Sequence, residues 1–82
     1  MTTHLDELYL ERREPARNMA RYYVLSVERD LFGCLMAVRR WGRIGSRGRQ
    51  ISLPCPDPDS AAALLDAVAA RKRRRGYGEP ES

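Results

Sequence analysis

Apolar and polar positions alternate most regularly in RYYVLSVERD, residues 21–30. Tyr23, Leu25 and Val27 fall on one face there, and Tyr22, Val24, Ser26 and Glu28 on the other. A period of two, rich in aromatic and β-branched residues, predicts a strand. CLMAVRRWGRI, residues 34–44, has the length of a second strand, and DLFG, residues 30–33, supplies a turn, so 21–44 reads as an antiparallel hairpin. LYLERRE, residues 8–14, reads as a first strand ended by Pro15, and PARNMA, residues 15–20, as a loop. GSRG, residues 45–48, is a second turn, followed by a short strand in RQISLPC, residues 49–55, which alternates Ile51 and Leu53 and stops at Pro54.

From Asp57 the period changes. In DPDSAAALLDAVAARKRRRG, residues 57–76, Ala61, Leu64, Leu65 and Val68 recur at helical spacing and form one apolar stripe. Asp57 suits the N-cap and Pro58 the first helical position. Arg71 to Arg75 lie where cations complement the helix dipole, and Gly76 suits the C-cap. The helix has about 17 residues and must bury its stripe on one face of the sheet. The expected fold is therefore α+β, a small antiparallel β-sheet of about four strands packed against one C-terminal helix. Residues 8–78 form a single domain in this reading, with 1–7 a flexible N-terminus and 79–82 a flexible tail.

Charge sharpens the picture. The 82 residues carry a net charge of +4, but the sign is unevenly placed. Residues 1–30 hold five Arg against six acids, whereas 39–50 hold five Arg and 71–75 five bases, both blocks without an acid. Blocks of one sign suit a polyanion or a solvated surface. Fourteen of the fifteen bases are Arg, which grips phosphate through a planar fork and stacks on aromatic rings.

Catalytic chemistry is not visible. His4 is the sole histidine, and Cys34 and Cys55 have no second pair to make a zinc site and no adjacent base. The expectation is no enzyme, no metal, no cofactor and no small-molecule substrate. Neither a secretory leader nor an apolar run of about 20 residues is present, so a cytoplasmic chain with reduced thiols and no membrane contact is expected.

RRWGRIGSRGR, residues 39–49, is the richest stretch. Its glycines recur every third residue with no following Lys-Ser/Thr, and the next element is a strand, so a phosphate-cradling nucleotide loop is excluded. As a strand, Leu35, Ala37, Arg39, Trp41 and Arg43 share one face, and Met36, Val38, Arg40, Gly42 and Ile44 the other. Met36, Val38 and Ile44 suit the core beneath the helix, with Gly42 allowing close approach. Trp41, framed by Arg39 and Arg43, can stack on a sugar or base while the arginines take phosphates, or can pack at the sheet margin under an arginine. Both uses are open at this level.

Trp41-Gly42-Arg43, then Ile44-Gly45 and Gly48, resembles the W-G-R-[VI]-G-x-x-G signature of the WGR domain family. RYYVLSV looks like the family's leading strand, and the likeness spans about residues 8–78. WGR domains are modules of poly(ADP-ribose) polymerases and of bacterial proteins resembling the molybdate metabolism regulator. In the polymerases the module binds DNA ends, its Trp packing on a terminal sugar and its Arg supporting the backbone contact. The resemblance assigns those roles to Trp41 and Arg43, close packing to Gly42 and the turn to Gly45, with Gly48 closing the signature. Arg39, Arg40, Arg47, Arg49, Arg73, Arg74 and Arg75 join the candidate nucleic-acid-binding residues on charge alone. Arg49 stands where the family often has Gln, and the polymerase version's aromatic-rich helix end is missing. No polymerase catalytic domain fits in this length, so ADP-ribosylation is not expected.

The expected function is a non-catalytic module that binds nucleic acid, DNA ends or breaks above all, through sugar-phosphate contacts without sequence specificity. The alternative is a protein-interaction module whose Trp/Arg surface meets an acidic partner, encoded nearby.

Overall fold

The computed structural model describes residues 3–80. Four strands, β1 (Thr3–Glu14), β2 (Met19–Arg29), β3 (Leu35–Arg43) and β4 (Arg49–Pro54), precede one helix, α1 (Pro58–Arg74). The strands pair antiparallel in the order β1-β2-β3-β4, each beside its sequence neighbour. The fold is α+β, a four-stranded antiparallel sheet with one C-terminal helix.

β1 begins at Thr3 rather than Leu8, reaching into the segment expected to be flexible. Long β2 offers partners as far as Arg29, which pairs with Thr3, and a bulge between His4 and Asp6 absorbs the irregularity. The PARNMA loop is tighter than expected: Pro15–Arg17 form one 3₁₀ turn, and Met19 already belongs to β2. Met1, Thr2, Glu81 and Ser82 lie outside the described residues, so the expected tail is seen only to Pro80.

The helix covers the face that carries Leu10 of β1, Tyr23, Leu25 and Val27 of β2, and Leu35 and Ala37 of β3. Against these it presses Ala61, Leu65, Val68 and Ala69. This corrects the expected orientation of β3, in which Met36, Val38 and Ile44 lay beneath the helix. The register decides the matter: Val27 pairs with Ala37 and Tyr23 with Trp41, so the apolar row of β2 continues through Ala37 and not through its neighbours. Ala37 is also small, and with Ala61 and Ala69 it lets the helix lie close to the sheet. Val38 is nonetheless buried on the far face, together with Tyr22, Val24 and Ser26.

Two local devices fix the helix ends. The Asp57 carboxylate accepts the Ser60 backbone N–H at 2.7 Å, capping the first turn, and Pro58 follows it. At the other end the Gly76 N–H donates to the Arg73 carbonyl at 3.0 Å and the Tyr77 N–H to the Lys72 carbonyl at 3.1 Å. With Gly76 at φ +98°, this is a Schellman closure, and it turns the chain so that Tyr77 folds back onto the sheet. Gly78 then exchanges both backbone hydrogen bonds with Glu11, tying the exit to the outer edge of β1.

Candidate nucleic-acid interface

Beyond the C-terminal end of α1 the sheet face it covers continues uncovered, and the side chains there form a depression of about 660 Å³. Its floor is aromatic. Trp41 and Tyr23, paired across β2 and β3, stack with centroids 5.7 Å apart and planes 11° from parallel. Tyr77 meets Tyr23 edge-on at 6.1 Å. Trp41 is half-buried: Tyr23 supports its ring, and part of its surface stays open to the depression.

The walls are basic. Arg12 and Arg21 come from β1 and β2, Arg39 and Arg43 from β3, and Lys72 and Arg75 from the end of α1; no acid lines the depression. Arg12 is held by Glu14, its Nη2 2.6 Å from the carboxylate, which neutralises part of its charge. Among the described residues, Arg21, Arg39, Arg43 and Arg75 have no carboxylate within salt-bridge distance. Lys72 places its ammonium 4.6 Å from the Tyr23 centroid and 5.9 Å from that of Tyr77. Burial pushes its pKa below the ordinary lysine value, and the positive charges of Arg75, Arg39 and Arg71 push it further the same way.

The β3–β4 turn folds toward the other face. A Cβ on Gly42 would lie 2.7 Å from the Gly48 Cα, and one on Gly48 would run into the Trp41 carbonyl. Gly45 and Gly48 also have positive φ, +92° and +67°. The Tyr22 hydroxyl donates to the carbonyls of Ser46 and Arg47, at 3.1 and 2.8 Å, and so fastens the turn to β2. Glycine is needed at 42 and 48 because two backbone segments touch there.

A model of the WGR domain matches residues 6–82. The chain belongs to the WGR domain family. The WGR signature residues Trp41 and Arg43 thus sit in the basic depression, and Gly42 and Gly48 form the backbone contact behind it. Over 70 residues the WGR chain is 44% identical to a protein of Sinorhizobium fredii (strain NBRC 101917 / NGR234), described as uncharacterized protein y4dW. The match covers 85% of this chain and 34% of that relative, so the chain spans about a third of its length. No solved structure matches the chain.

The other basic candidates scatter. Arg40 and Arg47 line a separate hollow of about 570 Å³ on the opposite face, beside Gln50 and the parallel rings of Tyr9 and Tyr22. Arg49 pairs with Trp41 across β3 and β4 but stays exposed outside the depression. Arg73 and Arg74 point elsewhere than Arg75, and Arg73 lies 3.7 Å from Glu79. Arg39, Trp41, Arg43 and Arg75 are the candidates brought together. Sequence reasoning missed Arg12, Arg21, Tyr23, Lys72 and Tyr77. The hairpin register would have paired Tyr23 with Trp41, and the single lysine among arginines was a signal left unused.

Among the described residues no group of three or more His, Cys, Asp or Glu could hold a metal ion. Cys34 is exposed, Cys55 half-buried, and neither is bonded to the other. No described helix is long and apolar enough to cross a membrane.

Proposed function

We propose that this WGR domain binds nucleic acid in the depression around Trp41, as a non-catalytic module that takes DNA ends or breaks through sugar-phosphate contacts without reading sequence. One observation carries the reading: an aromatic floor of Trp41 on Tyr23, walled by six bases and no acid. A sugar can lie on the open part of Trp41 while Arg39, Arg43, Arg21 and Arg75 take flanking phosphates. The contacts in this reading go to sugar and phosphate, which position a strand without reporting its sequence.

A salt titration tests it. Four phosphate contacts give a log K against log salt slope of about −3.6 on duplex DNA. Blunt and nicked duplexes should bind more tightly than closed-circular DNA of the same sequence. Equal, weak and salt-insensitive binding to all three would overturn the proposal.

A second reading is favoured by the β4 edge, where Ile51 and Leu53 are 45% and 49% exposed and the strand has no outer partner among the described residues. Ile51 also lines the depression, so an acidic protein partner could span both. Nuclease-resistant recovery of one stoichiometric protein, with no measurable DNA affinity, would establish this reading instead.

A further inference from the structure

Lys72 is the single lysine of a chain with fourteen arginines, and the fold places it inside the depression. For holding phosphate an arginine would serve as well at this position. What lysine adds is a primary amine, which becomes a nucleophile once it loses its proton. Its surroundings favour that loss. The Tyr23 ring, 4.6 Å away, attracts the ammonium, but partial burial and the charges of Arg75, Arg39 and Arg71 oppose it more strongly, and no carboxylate lies within salt-bridge distance among the described residues. The pKa is lowered accordingly, burial first and the neighbouring arginines after it.

Trp41 lies one ring away, stacked on the same Tyr23. Trp41 and the Lys72 amine thus line one depression, both against Tyr23. We propose that Lys72 captures an aldehyde carried by bound DNA, the ring-opened deoxyribose of an abasic site, as a reversible imine. The proposal rests on the reading of this depression as a DNA-binding site. An abasic sugar suits it because no base shields the C1′ carbon from the amine, and the sugar can settle on Trp41 without unstacking anything.

The step balances without an oxidant or reductant. The Nζ lone pair adds to the C1′ carbonyl carbon, and the carbonyl π pair moves to oxygen. A proton passes from nitrogen to that oxygen to give a carbinolamine. Loss of the hydroxyl and the remaining N–H proton as one water leaves the C=N bond. The aldehyde is the sole co-reactant, and flanking phosphates on Arg39, Arg43 and Arg75 hold it in place.

The test uses the full chain and a labelled duplex with one abasic site near its end, with sodium borohydride to reduce any imine to a stable secondary amine. A matching duplex with a tetrahydrofuran analogue, which has no aldehyde, reports DNA binding by itself. The proposal expects a borohydride-dependent covalent product whose peptide mass maps to Lys72. It expects Lys72→Arg to lower that product at least about tenfold per duplex bound, with the bound fraction read from the tetrahydrofuran duplex on the same variant. Tight binding of the tetrahydrofuran duplex with no trapped product overturns the imine and leaves DNA binding standing. An adduct that maps to the N-terminal amine, or survives Lys72→Arg unchanged, overturns it as well. No binding of the tetrahydrofuran duplex overturns the DNA reading and the imine with it. Peptide mapping of the unsubstituted chain decides the matter even if the variant does not fold.

Discussion

Trp41 is held by a neighbour rather than sunk in the core, and this governs what its removal does. Its ring leans on Tyr23 and is partly open, whereas Leu10 and Leu25 of the sheet and Val68 of the helix are fully buried. Stacking on Tyr23 contributes about 0.5–1.5 kcal/mol beyond the area the ring covers, so Trp41→Ala should lower Tm by several degrees while keeping a cooperative transition. Loss of an aromatic platform costs about 1–3 kcal/mol where a base stacks on it, so DNA affinity should fall about fivefold or more. Thermal unfolding and fluorescence anisotropy on the same variant check both numbers. Collapse of cooperativity would make Trp41 a core residue first. Gly48 behaves in the opposite way. Its positive φ and its contact with the Trp41 carbonyl leave no room for a methyl group, so Gly48→Ala should destabilise the fold by more than about 1 kcal/mol. Denaturant titration measures that directly, and Gly45→Ala, where nothing lies within 4 Å, should show the smaller cost of strained φ alone.

The helix shows how local chemistry sets an element. The Ser60 backbone N–H holds the Asp57 carboxyl below the ordinary aspartate value of 3.8, with help from the Asp59 backbone. A depressed carboxyl contributes stability that is present above its unfolded pKa and lost as pH falls through the folded one. The cap's contribution should therefore be full at neutral pH and fade below about pH 3.8. Asp57→Ala should destabilise the fold at pH 7, and the difference from the unsubstituted chain should shrink in acid; denaturant titrations at both pH values check it. This helix was legible because cap, Pro58, stripe and Gly76 all lie within one short segment. The orientation of β3 was not. Leu35 and Ala37 on one face compete with Met36, Val38 and Ile44 on the other, and no pattern within β3 ranks them. The pairing of Val27 with Ala37 decides, and that pairing belongs to two strands at once. The same non-local fact hid Tyr23 and Lys72, which become site residues only when β3 brings Trp41, and the end of α1 brings Lys72, against Tyr23.

At the scale of the whole molecule, the basic run of residues 39–49 is divided by the sheet it helps to build. Arg39 and Arg43 stand beside Trp41 on the face that α1 partly covers, and Arg40 and Arg47 stand on the other face with Tyr9 and Tyr22. Net charge treats these four alike, and a purely electrostatic attraction would as well. A ligand seated on Trp41 does not, because the sheet separates it from the second pair. Arg39→Gln with Arg43→Gln should therefore reduce the salt slope by about 1.8, the share of two phosphates, and weaken binding at any fixed ionic strength. Arg40→Gln with Arg47→Gln removes the same charge, yet should leave the slope unchanged and affinity within about twofold, the remainder of a screened long-range field. Anisotropy titrations of both double variants across a range of salt concentrations make the comparison. Equal losses from the two pairs would mean that DNA is held by the charge of the whole molecule rather than in the Trp41 depression.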